Sequence, residues 1–297
     1  MLKNKFEPRR GEIIITRNRI KKLKPRRGEI ALNSSYITYH FNLIFLKTIW
    51  YPFGQVLAAI RFVLLIGSMA IVVGVGLLLV NLKIADQNLA FKIRTFWCKL
   101  ALKILGIRLY VTGKIDLTEG TLYVGNHRSL IDPIVAFCFI DHGYAVSKIE
   151  VSTYPLVHTG AKLSGVIYVE RSNSQSRSNK KEIIEQNLQE HKSILIFPEG
   201  TTGTEKTTLT FKKGSFEAAA STNHPVVAFA IEMGNPKSDF WYKEGLLSQY
   251  FRTYSKWRTD VYLHFFEPIK GNSGEELCFR CQQMINEKLA EFQKNWK

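Results

Sequence analysis

Cysteine is scarce. The 297 residues hold four, Cys98, Cys138, Cys278 and Cys281. They are too few and too unevenly spaced for a disulfide framework, which points to a reducing compartment. Cys278 and Cys281 form one C-x-x-C inside a helical pattern. With no second pair they do not make a structural zinc site, which wants four ligands. No other cluster has metal spacing, so neither a metal nor a resident cofactor is expected. Acid is in short supply as well: 25 Asp and Glu face 41 Lys and Arg, a net charge of +16. That excess asks for an anionic partner, whether a membrane surface, a nucleic acid or an anionic substrate. Several signatures of chemistry are also missing. There is no G-x-S-x-G elbow, which argues against an α/β-hydrolase, and neither a Walker A lysine loop nor a G-x-G-x-x-G.

Charge itself is missing from one long stretch. Phe62 to Leu82 runs 21 residues without a charged side chain, between Arg61 and Lys83. About 20 such residues cross a bilayer, and soluble helices rarely stay uncharged on every face over that length. Residues 36–60 are aromatic and apolar too, with Trp50, Tyr51 and Phe53 grouped as interfacial residues are. Ahead of them, residues 1–30 carry eleven Lys and Arg against Glu7, Glu12 and Glu29, and repeat Pro-Arg-Arg-Gly-Glu-Ile twice. They lack the leading apolar core of a secretory signal. Residues 1–35 therefore read as a solvated, poorly ordered basic arm suited to anionic lipid. Lys83 to Arg108 makes a second basic block, six Lys and Arg against Asp86. Basic blocks prefer the cytoplasmic face, and a single crossing would strand one of the two. The expectation is an integral membrane protein in which 36–86 forms a membrane-inserted hairpin or re-entrant segment. The rest of the chain would then stay on the cytoplasmic face.

Residues 87–105 have the spacing of an amphipathic helix, with Leu89, Ile93, Phe96, Trp97, Leu100 and Ile104 interrupted by Lys92, Arg94, Lys99 and Lys103. Such a helix suits either a headgroup layer or the side of a domain. From residue 107 short apolar runs alternate with helical segments. Strands are predicted at Ile107–Val111, Thr121–Gly125, Tyr144–Ser147, Gly165–Glu170, Ser193–Phe197, Pro225–Ile231 and Asp260–Phe266, and helices at 133–141, 176–190, 214–222 and 274–294. This order predicts an α/β domain over 87–297, a mostly parallel sheet covered by helices on both faces.

Polar residues gather where predicted strands end. Leu122 to Val124 run into Gly125, Asn126 and His127, and then Ser129, Asp132 and Pro133 signal a helix start. Two readings are open. Asp132 is a helix cap and His127 a loop histidine, or the Asp132 carboxylate reaches back to His127 and leaves its other nitrogen free as a base. The second needs a bent loop, because residues five apart on a regular helix face different ways. The strand from Gly165 delivers Arg171, and Phe197 to Gly203 stops a strand at Pro198 and follows it with Glu199 and Gly200. Lys212 and Lys213 precede a helix start, where they could hold a phosphate.

These stretches, taken together and in order, resemble the motifs of the glycerolipid acyltransferases, the lysophosphatidic acid acyltransferase superfamily. Asn126 to Asp132 is similar to the first motif, His-x4-Asp, and Gly165 to Arg171 to the second. Phe197-Pro198-Glu199-Gly200-Thr201 is similar to the third, and Pro225-Val226-Val227 to the fourth. The resemblance implies that His127 is a general base oriented by Asp132, acting on a lysophospholipid hydroxyl. The hydroxyl would attack the thioester of an acyl-CoA or acyl carrier protein directly. It also implies acceptor-binding roles for Asn126, Arg171, Glu199, Gly200, Thr201, Lys212 and Lys213, with lysophospholipid and membrane lipid as partners. Two positions depart from the pattern: Thr202 stands where Arg is common, and Ala228 where a second proline is common. The first leaves 1-acylglycerol-3-phosphate beside glycerol-3-phosphate, lysophosphatidylcholine and a lyso-ornithine lipid as acceptors. A catalytically silent lipid-surface scaffold of the same fold would lack the reason to keep both His127 and Asp132. A nucleic-acid binder rests on charge alone, since the basic arm carries no reading motif.

Overall fold

The computed structural model describes residues 34–84, 86–115, 118–148, 159–160, 163–169, 174–242 and 245–296. Residues 1–33 of the basic arm and Arg171 lie outside them. The chain divides into Met1–Ile49 and Trp50–Lys297. The first unit contributes the opening of helix α1 (Ser34–Asn81), and the second carries the other elements.

Seven strands form one sheet: β1 (Ile107–Thr112), β2 (Leu122–Gly125), β3 (Gly143–Lys148), β4 (Val166–Val169), β5 (Ser193–Ile196), β6 (Val226–Met233) and β7 (Thr259–Phe265). Their order is β1-β7-β6-β2-β5-β3-β4. Each falls within one or two residues of its predicted span. Every pairing is parallel except β6 with β7, which is antiparallel. The helices of the domain are α2 (Gln87–Ile104), α3 (Asp132–Ala136), α4 (Ser174–Gln189), α5 (Gly214–Ser221), α6 (Pro236–Asp239), α7 (Leu246–Tyr254) and α8 (Gly274–Phe292). Alternation along the strands builds two cores, one on each face. Tyr123, Val227, Phe229 and Ile231 pack with Cys98 and Leu102 of α2, Val135 of α3 and Tyr250 of α7. Leu122, Val124, Val226, Ala228 and Ala230 pack with Leu188 of α4, Phe216 of α5 and Ile285 of α8. Each such side chain contributes roughly 1.5–3 kcal/mol when fully buried, and strands covered on both faces read as continuous apolar runs.

The helices depart from expectation in two places. Helix α3 stops at Ala136 instead of reaching 141, and a turn takes over from Phe137. Helices α6 and α7, not anticipated from sequence, fill the connection that lets β7 return antiparallel to β6.

The larger correction concerns the apolar segment. The two stretches 36–60 and 62–82, expected as arms of a hairpin or a re-entrant pair, are one helix, with no turn at Arg61. Arg61 does not end the helix because its charge is accommodated by the domain. It is only 7% exposed, and donates from Nη1 to the carbonyls of Tyr254 (2.9 Å) and Lys256 (2.6 Å) and from Nη2 to that of Trp257 (2.8 Å). Gly106, at φ +68°, leaves room for the guanidinium; a Cβ there would lie 2.2 Å from Nη2. Arg61→Met would strand three carbonyls that now have a cationic donor, and should lower unfolding free energy by at least about 2 kcal/mol. Chemical denaturation in detergent reads this directly; an unchanged midpoint would refute it.

Candidate active site

Strand β2 sits in the middle of the sheet, and its carboxyl end releases Gly125, Asn126 and His127. Its parallel neighbour β5 ends on the same side, so the loop from Phe197 emerges alongside. The geometry of the turn begins at Gly125. A Cβ there would lie 2.2 Å from the Phe229 ring, so glycine is what lets β6 close against the strand end. Asn126 follows, fully buried, and replaces a strand partner with its side chain. Its Nδ2 donates to Ile231 O and its Oδ1 accepts from Ile231 N, each at 2.8 Å. The structure therefore places Asn126 as the brace of the turn, with both ends of its amide committed to β6.

The bend brings His127 and Asp132 together. His127 Nδ1 and Asp132 Oδ2 are 2.7 Å apart. Of the two readings of Asp132, the contact matches the one in which its carboxylate reaches back to His127, and only the helix start, expected at residue 133, differs. Asp132 is the first helical residue, and its side chain turns back into the preceding loop. Oδ2 also accepts from the backbone N–H groups of Arg128 (2.6 Å) and Ser129 (2.8 Å), and Oδ1 from Ser129 Oγ (2.9 Å). Four donors thus fix a carboxylate with no solvent exposure. A carboxylate on Nδ1 puts the imidazole proton there and leaves the Nε2 lone pair available. Nε2 makes no hydrogen bond among the described residues, and the side chain is 14% exposed. Phe197 stacks on one face of the ring, centroids 4.5 Å apart and planes at 23°.

The His127 peptide is held at both ends. Its N–H donates to Glu199 Oε1 (2.8 Å), and its carbonyl accepts from Gly203 N (2.8 Å). The other Glu199 oxygen accepts from Leu209 N at 2.9 Å. Glu199 is therefore a buried clasp between two loops. Burial pushes its carboxyl above the usual range, opposed by those two N–H bonds and by Arg128. A group whose folded value is raised contributes stability that is full in acid, below the ordinary carboxylate range, and is lost as pH rises through the raised value. Glu199→Gln turns one acceptor into a donor facing an N–H. It should cost about 1–3 kcal/mol, with the gap to wild type widest in acid and narrowing toward neutrality. Denaturation curves at several pH values test this; a gap that widens with pH would reverse the assignment.

Gly200 sits at φ +73° and Thr201 is exposed beside it. Lys212 and Lys213 are exposed at the start of α5. The Lys212 backbone is tied to Pro198 O at 3.1 Å, while Lys213 Nζ lies 3.5 Å from Glu275 at the start of α8. Two important residues escaped the sequence reading. Arg128 is 1% exposed and pairs with Glu232 Oε2 at 3.0 Å, while its Nη1 reaches the carbonyls of Gly203 (3.2 Å) and Glu205 (2.7 Å). Glu232 is the single acid in the apolar run Val226–Met233, and that isolation was the available signal.

Residues 108–232 match the family model described as Acyltransferase. Over that stretch the chain is similar to the Acyltransferase family. The lyso-ornithine lipid O-acyltransferase of Rhizobium meliloti is 31% identical over 125 residues, 42% of either chain. The 1-acyl-sn-glycerol-3-phosphate acyltransferase of Borreliella burgdorferi is 29% identical over 147 residues, 48% of this chain and 59% of that one. The lyso-ornithine lipid O-acyltransferase of Pseudomonas aeruginosa is 26% identical over 206 residues, 65% of this chain and 77% of that one. The chain spans about half the length of the first of these curated relatives that it matches. The α/β domain shares its fold with the crystal structure of the 1-acyl-sn-glycerophosphate acyltransferase PlsC of Thermotoga maritima. The TM-score is 0.60 at 21% identity, covering 84% of this chain and 99% of that one.

Proposed function

We propose that this chain is a membrane-bound O-acyltransferase. It moves a fatty acyl group from the thioester of acyl-CoA or acyl carrier protein to the free hydroxyl of a lysophospholipid, with 1-acylglycerol-3-phosphate as first acceptor. The observation that carries this is the 2.7 Å His127–Asp132 pair with Nε2 left open at the carboxyl end of the central strand. In the reaction, Nε2 accepts the hydroxyl proton as the lipid oxygen bonds to the thioester carbonyl carbon. The tetrahedral adduct then expels the thiolate, which takes the proton back from the imidazolium. Ester and thiol are the products and the imidazole is regenerated. No acyl-enzyme forms. Asp132, fixed by four donors, steadies the imidazolium.

Helix α1 supports the membrane location. Among the described residues, Pro52–Asn81 is the one helix long and apolar enough to cross a bilayer. It touches the domain along its length, through Ala58 O with the Tyr250 hydroxyl, Arg61 with the 254–257 carbonyls, and Ser68 with Trp97. Large apolar side chains such as Phe53, Val63 and Ile71 remain uncovered. A helix fastened to its domain on one side and apolar on the other suits a protein seated on the cytoplasmic face of a bilayer, with one leaflet taking the uncovered side.

A second acceptor, lyso-ornithine lipid, is favoured by Thr202, since an amino-acid headgroup needs no basic residue for a phosphate there. Two relatives with that printed activity point the same way. The test is radiolabelled acyl transfer in mixed micelles to 1-acylglycerol-3-phosphate, lyso-ornithine lipid, lysophosphatidylcholine and glycerol-3-phosphate, with palmitoyl-CoA and palmitoyl-acyl carrier protein as donors. Ester formation on the first acceptor is expected. Transfer to none of the four would overturn the proposal.

A further inference from the structure

Helix α8 lies outside the stretch matched by the family model, yet it holds the loop that holds His127. Gln282 Nε2 donates to Thr208 Oγ1 (2.9 Å) and to Leu209 O (3.0 Å). Asn286 Oδ1 accepts from Thr208 N at 2.8 Å. Gln293, just past the helix, donates from Nε2 to Lys206 O (2.5 Å) and to Glu232 Oε2 (3.1 Å). At 3.6 residues per turn, positions 282, 286 and 293 fall within about 40° of one another, so they form one amide stripe. Its neighbours Ile285 and Leu289 are fully buried in the core, which fixes the stripe against the sheet.

We propose that this stripe clamps the 199–209 loop and so positions His127 for proton transfer; the catalytic half of the inference rests on the acyltransferase reading above. The route is short. Asn286 and Gln282 fix Thr208 and Leu209, and the Leu209 N–H fixes one Glu199 oxygen. The other Glu199 oxygen receives the His127 N–H, and Gly203 of the same loop donates to the His127 carbonyl. Gln293 adds a second grip through Lys206 and Glu232, the acid that pairs with Arg128. Gln282, Asn286 and Gln293 are positioning residues. They touch no reacting atom, and they act by holding the peptide from which the imidazole projects.

The atoms used make the inference testable. Asn286 serves as an acceptor, so Asn286→Asp should keep the clamp and Asn286→Leu should lose it. Gln293 serves as a donor, so Gln293→Glu should fail despite its near-identical shape, because it sets a carboxylate against Glu232. In the full-length protein, Asn286→Leu and Gln293→Glu are expected to lower kcat about 10- to 100-fold, the scale of a displacement near 1 Å. KM for the acceptor should barely move, and Asn286→Asp should stay near wild type. Tryptic cleavage after the exposed Lys206, timed under native conditions, should accelerate in Asn286→Leu and return to the wild-type rate in Asn286→Asp. If Asn286→Asp behaves as Asn286→Leu does, or if neither kcat nor cleavage changes, the clamp is overturned. A wild type inactive on every acceptor would defeat the acyltransferase reading alone, because the cleavage comparison reads the clamp without turnover.

Discussion

Replacing His127 by alanine is expected to lower turnover by about a hundred- to ten-thousand-fold, the usual worth of a positioned general base, with the fold intact. The ring is part-exposed, and its removal leaves the braces around it in place. The His127 N–H still meets Glu199, the His127 carbonyl still meets Gly203, and Asn126 still bridges to Ile231. Asp132 retains three of its four donors. The measurement is kcat for acyl transfer beside a thermal melt. A variant that turns over as fast as wild type would remove His127 from the mechanism, whatever the acceptor. Asp132→Asn sharpens the test, because an amide can offer Nδ1 a donor and favour the wrong tautomer. Its turnover should fall in the same direction while acceptor KM stays close to wild type.

Arg128→Met should produce the largest loss of stability, about 3–5 kcal/mol, because it leaves an uncompensated buried charge. Glu232 has no solvent exposure, and burial already pushes its carboxyl above the usual range, with Arg128 and Gln293 opposing that rise. Without Arg128 the folded value rises further. A carboxyl raised in the folded state is easily protonated there in acid, and it costs stability as pH climbs through the folded value. The deficit of Arg128→Met should therefore be small near the ordinary carboxylate range and grow toward neutral pH. Urea denaturation across that range checks the sign. The double variant Arg128→Met/Glu232→Met should recover much of the loss, since two apolar groups in place of a buried pair are often neutral. Its activity should stay low, because the bonds from Arg128 to Gly203 and Glu205 hold the loop behind His127 and have no replacement. A double variant less stable than the single one would refute the buried-charge account.

Some of this architecture is visible in short windows of sequence. Ile194-Leu195-Ile196 reads as a strand because strands buried on both faces need no alternation, and Gly125 and Pro133 announce the bend that folds His127 onto Asp132. Other features resist such reading. Glu199, in a turn-rich segment, looks like a ligand-facing acid, yet both its oxygens are taken by N–H groups of residues 72 and 10 positions away. Asn126 looks like a polar contact at a strand end, yet its partner is 105 positions downstream. Arg61 looks like the end of an apolar helix, and three carbonyls more than 190 positions on make it part of the middle.

The seven strands in their order along the chain, the uncharged run Phe62–Leu82 and the placing of His127 and Asp132 between a strand and a helix were legible in sequence, because each depends on periodicity, turn chemistry or a spacing of a few residues. The unbroken course of α1 through Arg61 and the His127–Asp132 contact were not. Tertiary structure alone decided the antiparallel return of β7, the burial of Asn126 and Glu199, the Arg128–Glu232 pair and the amide stripe of α8. In each, a polar group finds its partner on a distant segment. A residue's type says what it can bond; only the folded chain says what stands within 3 Å of it.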